Sequence, residues 1–283
     1  MPGHTIIKTT LLIAIVMATC CWTPLPAAAQ TNSPVIADLN RLILKINAKL
    51  NAGERNEAEF TNELKEFDAL LAAHKGEKTA ELAEIHRMKA QLFLQVFNDP
   101  EMAIAPLRQI KNDFPQMQIN GDTDAFILAV EKMATVRKIQ RTLVEGAPFP
   151  DFDEKDIAGN PLSVAGCKGN VVLIDFWATW CPPCQIELPN ILATYKKYHD
   201  QGFEVIGISL DVDRQQLEKF LKIQQMTWPQ YNDGKFWDTK LVLKYGVTQL
   251  PSTYLVDGRG IIIAKELRGD ALEAAVAKAL AKK

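Results

Sequence analysis

The spacing of apolar residues changes character near residue 146. From about residue 34 to 143, apolar residues recur every three or four positions, which predicts amphipathic helices packed around a shared core. Beyond that point, the unbroken apolar run Val171-Val172-Leu173-Ile174 is typical of a buried strand, residues 203–210 are a further predicted strand, and the strands alternate with helical stretches. The pattern predicts an all-α domain followed by an α/β domain whose central mixed sheet carries helices on both faces.

Five helices are predicted in the first region. Asp99 followed by Pro100 predicts the cap and the first residue of the fourth helix. Residues 85–115 are similar to one tetratricopeptide unit, but Pro106 interrupts its second helix and no clear second copy is present, so a plain helical bundle stays open. Such a domain either provides a docking or dimerisation surface or is a solvated bundle whose apolar stripes form its own core. The expected core positions are Ile36, Leu39, Ile43, Ile46, Leu50, Phe60, Leu64, Phe67, Leu71, Leu82, Ile85, Met88, Leu92, Val96, Phe126, Val130 and Met133.

The N-terminus is typical of an exported protein. Lys8 precedes an apolar stretch that is shorter than the roughly 20 residues needed to span a bilayer, and Ala27-Ala28-Ala29 offers small residues for signal peptidase. We therefore expect a signal peptide at residues 1–29 and a periplasmic or otherwise extracytoplasmic mature protein. Because Met17-Ala18-Thr19-Cys20 distantly resembles a lipoprotein box, a membrane or lipid anchor is the alternative.

Two prolines and a glycine in Gly146-Ala147-Pro148-Phe149-Pro150 end the helical pattern. We place the domain boundary there, with the helical domain at residues 30–145 and the α/β domain at residues 146–283. The formal net charge of −2 leaves no basic excess to neutralise a phosphate backbone, so no nucleic-acid partner is expected.

Cysteine content points to redox chemistry. Removal of the leader leaves Cys167, Cys181 and Cys184, too few for a disulfide framework, and an exported protein with one closely spaced pair is typical of redox-active thiol proteins. Cys167 is expected to be a small buried apolar residue, with intermolecular pairing as the alternative. A zinc site needs four ligands, and since the sequence has no second cysteine pair or histidine cluster we expect no metal.

Cys181 and Cys184 lie where a buried strand ends and a helix begins. A thiol at a helix N-terminus faces free backbone N–H groups and the positive end of the helix dipole, so its pKa falls. We therefore expect Cys181 to be the attacking group, and we expect its sulfur to be exposed. Cys184, one turn later, can resolve the mixed disulfide that forms with a substrate. Pro182 and Pro183 fit the first turn, where N–H groups lack intrahelical partners. The redox-active disulfide itself is the expected redox group, and no further cofactor is expected.

The second region carries six characteristic motifs: Pro148 to Phe152, Trp180-Cys181-Pro182-Pro183-Cys184, Glu187 with Pro189, Tyr245-Gly246-Val247, Pro251-Ser252-Thr253-Tyr254 and Asp257 with Gly260. Because of these motifs, residues 146–282 resemble the TlpA/ResA-like branch of the thioredoxin superfamily. The resemblance implies a thioredoxin fold with added N-terminal strands and an extra segment at about residues 211–246. It also implies reduction of protein disulfides, as in cytochrome c maturation or the maintenance of metal-site thiols, with a membrane protein as electron donor.

The resemblance also places a substrate surface beside the cysteines. Pro251 corresponds to the family's cis proline, and the preceding residue, Leu250, presents its backbone to an extended substrate chain. We assign Trp180, Pro182 and Pro183 to the same surface.

Two carboxylates are expected to assist the thiols. Asp175 interrupts an apolar strand, and because a buried unpaired carboxylate is costly it should be protonated or serve a purpose. It matches the thioredoxin position that moves protons for the resolving thiol, although many TlpA/ResA-like proteins have Asn there; an edge position that reaches water is the alternative. The resemblance implies that Glu187 tunes the thiols or contacts substrate, with a solvated helix charge as the alternative.

Two other functions stay open at this point. A thiol peroxidase shares the fold, but it needs a proline at a set distance before the attacking thiol, and residues 176–180 supply none. In the second, the protein is an adaptor whose helical domain binds a partner while the redox domain is mainly a support.

Overall fold

The computed structural model describes residues 33–282. The expected signal peptide at residues 1–29 and the anchor alternative therefore lie outside the described residues. The chain divides into two compact units between Ala134 and Thr135, within the fifth helix. The domain limits set at residues 145 and 146 stay a prediction. In the part of the chain that the structure describes, no helix combines the length and apolar character needed to cross a membrane.

Helices form the first unit, as predicted. Asp99 caps the fourth helix, since its carboxylate accepts from the N–H groups of Glu101 (3.1 Å) and Met102 (3.3 Å). That helix runs through Pro106, whose ring is buried. A 3₁₀ turn precedes the second helix and a π-helical turn, Leu92–Val96, extends the third. The helices are α1 (Pro34–Asn51), α2 (Thr61–Ala73), α3 (Ala80–Gln91), α4 (Pro100–Asp113) and α5 (Thr123–Thr142).

The core of the helical unit includes about half of the predicted apolar positions, and most of the others are partly buried against it. Leu39, Ile46 and Leu50 of α1 are buried, and Leu42, which the predicted stripe omitted, is buried with them. Met133 of α5 is 48% exposed and is not a core residue. The buried face of α1 is therefore displaced toward Leu42 relative to the predicted stripe, because Ile36 and Ile43 are only partly buried.

The second unit is built on a mixed five-stranded sheet with the order β5-β4-β3-β6-β7. β3 pairs in parallel with β4, and β4 with β5, whereas β6 is antiparallel to both β3 and β7. A separate two-stranded sheet, β1-β2, precedes it. The strands are β1 (Glu154–Lys155), β2 (Pro161–Leu162), β3 (Val171–Trp177), β4 (Phe203–Ser209), β5 (Gln230–Tyr231), β6 (Ser252–Val256) and β7 (Ile262–Lys265). The helices are α6 (Pro182–Tyr198), α7 (Arg214–Gln224), α8 (Lys240–Tyr245) and α9 (Asp270–Leu280).

β3 is the central strand, and all seven of its residues are buried. An apolar run without alternation is what a strand covered on both faces requires, which confirms the predicted thioredoxin-like sheet. In the register, Asp175 lies opposite Gly207 of β4 and Thr253 of β6. Because β3 ends at Trp177 and α6 begins at Pro182, the cysteine pair lies just beyond the carboxyl end of the central strand.

An aromatic cluster fixes the start of this unit to its sheet. Phe149 stacks on Tyr245 with ring centroids 4.7 Å apart, and Phe176 of β3 meets the same ring edge-on at 5.8 Å. The Tyr245 hydroxyl donates to the Pro150 carbonyl (2.5 Å). Gly246 follows with φ +59°, and a Cβ there would lie 3.2 Å from a backbone oxygen of α5, so glycine suits this helix end.

Candidate active site

The cysteine pair forms the N-terminal end of α6. Cys181 is the N-cap residue and is disulfide-bonded to Cys184, with 5.3 Å between their Cα atoms. Because Pro182 and Pro183 have no N–H, the first backbone donor of the helix is the N–H of Cys184, which donates to Cys181 Sγ at 3.2 Å. The Cys181 sulfur thus receives a hydrogen bond at the positive end of the helix dipole.

The two cysteines are more buried than the sequence predicted. Cys181 is 4% exposed and Cys184 5%, so the expectation that the attacking sulfur is exposed is wrong for this disulfide form. The physical reason is that both side chains pack into the hydrophobic core of the unit. Exposed residues border them instead: Trp180 is 43% exposed, and Pro182 and Pro183 are exposed as well.

A buried hydrogen-bond network fixes the loop that leads into Cys181. The Thr179 N–H donates to both carboxylate oxygens of Asp211 (3.2 and 3.0 Å), and its hydroxyl donates to one of them (2.5 Å). The Ser209 hydroxyl donates to the same carboxylate at 2.8 Å. Gln185 of α6 donates to the Thr179 carbonyl at 2.5 Å. Thr179 and Asp211 were not singled out from the sequence; the one available signal was an aspartate directly after a buried strand.

Asp175 lies inside the sheet. It is 4% exposed, and its Oδ1 atom has no hydrogen-bond partner among the described residues. Burial raises the pKa of this carboxyl to about 7, against the opposing charge of Arg268 and with a further contribution from Glu187 and Glu266. The alternative of an edge position that reaches water is wrong, because β3 has a paired strand on each side. Asp175 can therefore exchange a proton near neutral pH.

Glu187 is a buried carboxylate one turn beyond Cys184. It is 5% exposed, and its two oxygens accept from the N–H of Gly269 at 2.9 and 3.1 Å. Asn190 donates to it at 3.2 Å. The alternative of a solvated helix charge is thus wrong, because this side chain joins α6 to the backbone immediately before α9.

The Leu250–Pro251 peptide bond is cis, as the resemblance implied. Leu250 is partly exposed and Pro251 is buried. Arg268, which the sequence did not single out, holds this segment: its guanidinium donates to the Pro251 carbonyl (2.5 Å) and to the Thr253 hydroxyl (3.0 Å). Arg268, which anchors the cis-proline segment, is therefore the neighbour in sequence of Gly269, whose N–H donates to Glu187.

Cys167 does not join this site. It is a free cysteine of intermediate exposure, so it is less buried than predicted, and burial raises the pKa of its thiol. Its Sγ lies 3.9 Å from the Ser163 carbonyl. Among residues 33–282, no group of three or more His, Cys, Asp and Glu side chains is arranged to hold a metal ion.

Comparison with known proteins places the second unit in a family. The AhpC/TSA family model matches residues 146–265. Thiol-disulfide oxidoreductase ResA of Bacillus cereus is 32% identical over 120 residues, which are 42% of this chain and 68% of that protein. Thioredoxin-like protein YneN of Bacillus subtilis (strain 168) is 33% identical over 131 residues, 45% of this chain and 74% of that one.

A solved structure, the thioredoxin domain of a thiol-disulfide oxidoreductase from Bacteroides vulgatus, is 35% identical and covers 48% of this chain and 97% of its own, with a TM-score of 0.45. The sequence matches to ResA and YneN, over more than two thirds of each protein, agree with the cysteine pair at the start of α6. The chain therefore belongs to the thioredoxin-like family of thiol–disulfide oxidoreductases that includes ResA.

Proposed function

We propose that this protein is an extracytoplasmic oxidoreductase that reduces disulfides of partner proteins through Cys181 and Cys184. The observation that carries the proposal is the hydrogen bond from the first backbone donor of α6 to Cys181 Sγ. In the reduced protein the same N–H would stabilise a thiolate at Cys181, which makes this sulfur the nucleophile. Cys184, which supplies that N–H and lies one turn into the helix, is the resolving thiol.

The reaction proceeds in two exchanges. The Cys181 thiolate attacks one sulfur of a substrate disulfide, so a mixed disulfide forms and the other substrate sulfur leaves as a thiolate that takes up a proton. The Cys184 thiol then loses its proton and attacks Cys181 Sγ, which releases the second substrate thiolate. Two electrons pass to the substrate, and the protein is left with the Cys181–Cys184 disulfide. An external dithiol, which we propose to be a membrane protein, must reduce it again.

Asp175 and Glu187 serve this sequence in different ways. A carboxyl with a pKa of about 7 can accept the Cys184 proton and return it in the next cycle, which fits the role that the resemblance implies for Asp175. Glu187 holds the backbone at Gly269 and contributes to the charge around Asp175. We propose that it tunes the thiols through these interactions.

The substrate chain is proposed to lie along the cis-proline segment. There the backbone of Leu250 is available to an extended peptide while Arg268 holds the carbonyl of Pro251. Trp180, Pro182 and Pro183 border the same entrance. The apolar leader at residues 1–29 supports export, and the resemblance supports reduction rather than oxidation, for haem attachment or metal-site thiols. The helical domain is proposed to dock a partner.

Trapping of the intermediate tests the proposal. A Cys184→Ser variant, offered a protein with a surface disulfide, is expected to accumulate a mixed disulfide through Cys181, visible as a mass increase that dithiothreitol removes. The Cys167→Ser variant is the matched control, because it changes a thiol outside the site and should turn over without accumulation.

The adaptor alternative predicts a different outcome. An adaptor would retain its partners when Cys181 and Cys184 are both changed to Ser, whereas an oxidoreductase should lose the covalent complex. Absence of any mixed disulfide in the Cys184→Ser variant would contradict the proposed exchange.

A further inference from the structure

Two exposed aromatic rings lie together beside the attacking cysteine. Trp180, the residue before Cys181, and Phe236 are each 43% exposed, and their ring centroids are 5.1 Å apart with a tilted arrangement. Phe236 belongs to a 3₁₀ turn that lies between β5 and α8, within the extra segment at residues 211–246. Aromatic side chains exposed together beside a reactive group are typical of binding surfaces, and this pair is here called the aromatic platform.

Hydrogen bonds fix the chain segments next to both rings. Thr179, next to Trp180, is fixed by the Asp211 carboxylate. On the other side, Asn232 donates to the Asp211 carbonyl at 2.6 Å. One buried aspartate thus supports both the cysteine loop and the segment that leads to Phe236. A surface with such support is preorganised for binding.

The turn that carries Phe236 is fixed separately. The Asp233 carboxylate accepts from the N–H groups of Lys235 (3.2 Å) and Lys240 (3.0 Å), which bracket the turn. The Thr239 hydroxyl donates to the Phe236 carbonyl at 2.7 Å. Phe236 has φ +55°, a left-handed conformation that glycine and asparagine adopt more easily than an aromatic residue. Local backbone preference therefore does not favour a phenylalanine here, and the contacts of its ring, with Trp180 and with Trp237 at 6.1 Å, are what this side chain supplies.

We propose that the aromatic platform of Trp180 and Phe236 binds a bulky apolar side chain close to the reactive cysteine of an unfolded or extended substrate polypeptide. This inference rests on the proposed function and deepens it by naming the substrate class. Two points select the occupant. The platform is continuous with the exchange site through Trp180, and the Cys181 sulfur is so buried that a disulfide on a flexible segment reaches it more easily than one on a rigid surface. Phe236 is the specificity-determining residue.

Matched peptide disulfides test the platform. Each of two peptides carries a single cysteine, which is joined to glutathione in a mixed disulfide. The cysteine is flanked by leucine and phenylalanine in the apolar peptide and by serine on both sides in the polar peptide, and the two are otherwise identical. Oxidised glutathione is the reference substrate without flanking apolar groups. The reduced protein is mixed with each disulfide, and the second-order rate of its oxidation is followed by tryptophan fluorescence.

The wild-type protein should favour the apolar peptide by roughly threefold to tenfold, the range that one aromatic contact supplies. Phe236→Asn, which suits the left-handed backbone, should abolish this preference, and Phe236→Tyr, which retains a ring, should preserve it. Ile223→Asn on α7 changes another exposed apolar side chain, 65% exposed, and should leave the preference intact. The rate with oxidised glutathione should be unchanged in Ile223→Asn. For the Phe236 variants, the preference is the ratio of the two peptide rates, so a general change in reactivity cancels.

Different failures identify different errors. Equal rates with both peptides in the wild-type protein, or an intact preference in Phe236→Asn, would overturn the platform while leaving the proposed exchange standing. If no disulfide, including oxidised glutathione, oxidised the reduced protein, both ideas would be overturned. A dimer that sedimentation detects in the wild-type protein and not in Phe236→Asn would make a second copy the occupant and overturn the substrate assignment.

Discussion

The two units bury different chemistry. In residues 33–134, the buried side chains that the structure describes are apolar apart from Glu63, whose carboxylate pairs with Lys49 at 2.8 Å. In residues 135–282, the described buried side chains include several polar ones, among them Asp175 of the central strand, Glu187 of α6 and Asp211 after β4.

The difference separates stability from function within one chain. Apolar burial stabilises a unit and makes no demand on protonation, whereas a buried carboxylate without a full set of partners lowers stability whenever it is ionised. A sheet that holds Asp175 with one orphaned oxygen is less stable than it could be. We infer that the buried polar groups of the second unit are retained for thiol exchange. We infer that the buried side chains of the helical unit serve its stability and not the exchange reaction.

The largest expected effect on this comparison comes from Asp175→Asn. The native pKa of about 7 lies above the ordinary value of 3.8, so between these two values the carboxyl is ionised in the unfolded state and protonated in the native state. The native state therefore loses stability as the pH rises from about 3.8 to about 7, and the loss is complete above that range. At pH 8 the neutral asparagine should therefore stabilise the second unit, by roughly 4 kcal/mol if the whole shift is expressed, at about 1.36 kcal/mol per pKa unit. Near pH 4 the gain should fall close to zero. Urea unfolding of the oxidised protein, followed by tryptophan fluorescence, measures it.

Asp200→Asn is the matched control for that substitution, because Asp200 is exposed and its replacement should change stability little at either pH. The Asp175→Asn variant, although more stable, should resolve mixed disulfides more slowly. An equal gain at pH 4 and pH 8 would show that packing rather than charge is responsible.

The second prediction concerns the helical unit, where the substitution should lower the free energy of unfolding rather than raise it. Leu42→Ala should destabilise it by about 3 kcal/mol, because Leu42 is 1% exposed and truncation of a buried leucine loses transfer free energy and leaves a cavity. Hydrogen-exchange mass spectrometry on peptides of α1 to α4 measures the loss. Leu44→Ala on the same helix is the control, since Leu44 is 68% exposed. The rate of exchange with oxidised glutathione should stay unchanged in both variants. A large decrease in this rate in Leu42→Ala would contradict the inference that the helical unit does not take part in thiol exchange.

Much of this architecture is predictable from local sequence. The unbroken apolar run at residues 171–174 predicted the central strand, and Asp99 with Pro100 predicted the start of α4. The cysteine spacing predicted the redox pair. In each case the signal lies within a few residues, where hydrophobic period, capping and proline geometry act directly.

What the sequence did not reveal depends on residues far apart in the chain. The carboxylate that accepts the Thr179 hydrogen bonds belongs to Asp211, 32 positions later. Glu187 accepts from the N–H of Gly269, 82 positions later. Two-residue strands such as β5 are too short to show a period. The burial of Cys181 was missed for a related reason, since helix position describes the electrostatics of a thiol but not the core that surrounds it.

The smallest expected effect is a shift in the pKa of Cys181. In the reduced protein, Pro182→Gly should lower this pKa by roughly half a unit, because glycine restores one backbone N–H at the first turn and one such interaction contributes about 0.3–1 kcal/mol. The reduced form is then stabilised, so the disulfide should become more oxidising. Alkylation rates against pH measure the shift, with Cys167 in the same molecule as internal control, and the helical unit should show unchanged hydrogen exchange. An unchanged or raised Cys181 pKa would mean that the proline ring, rather than the missing donor, sets the reactivity of the pair.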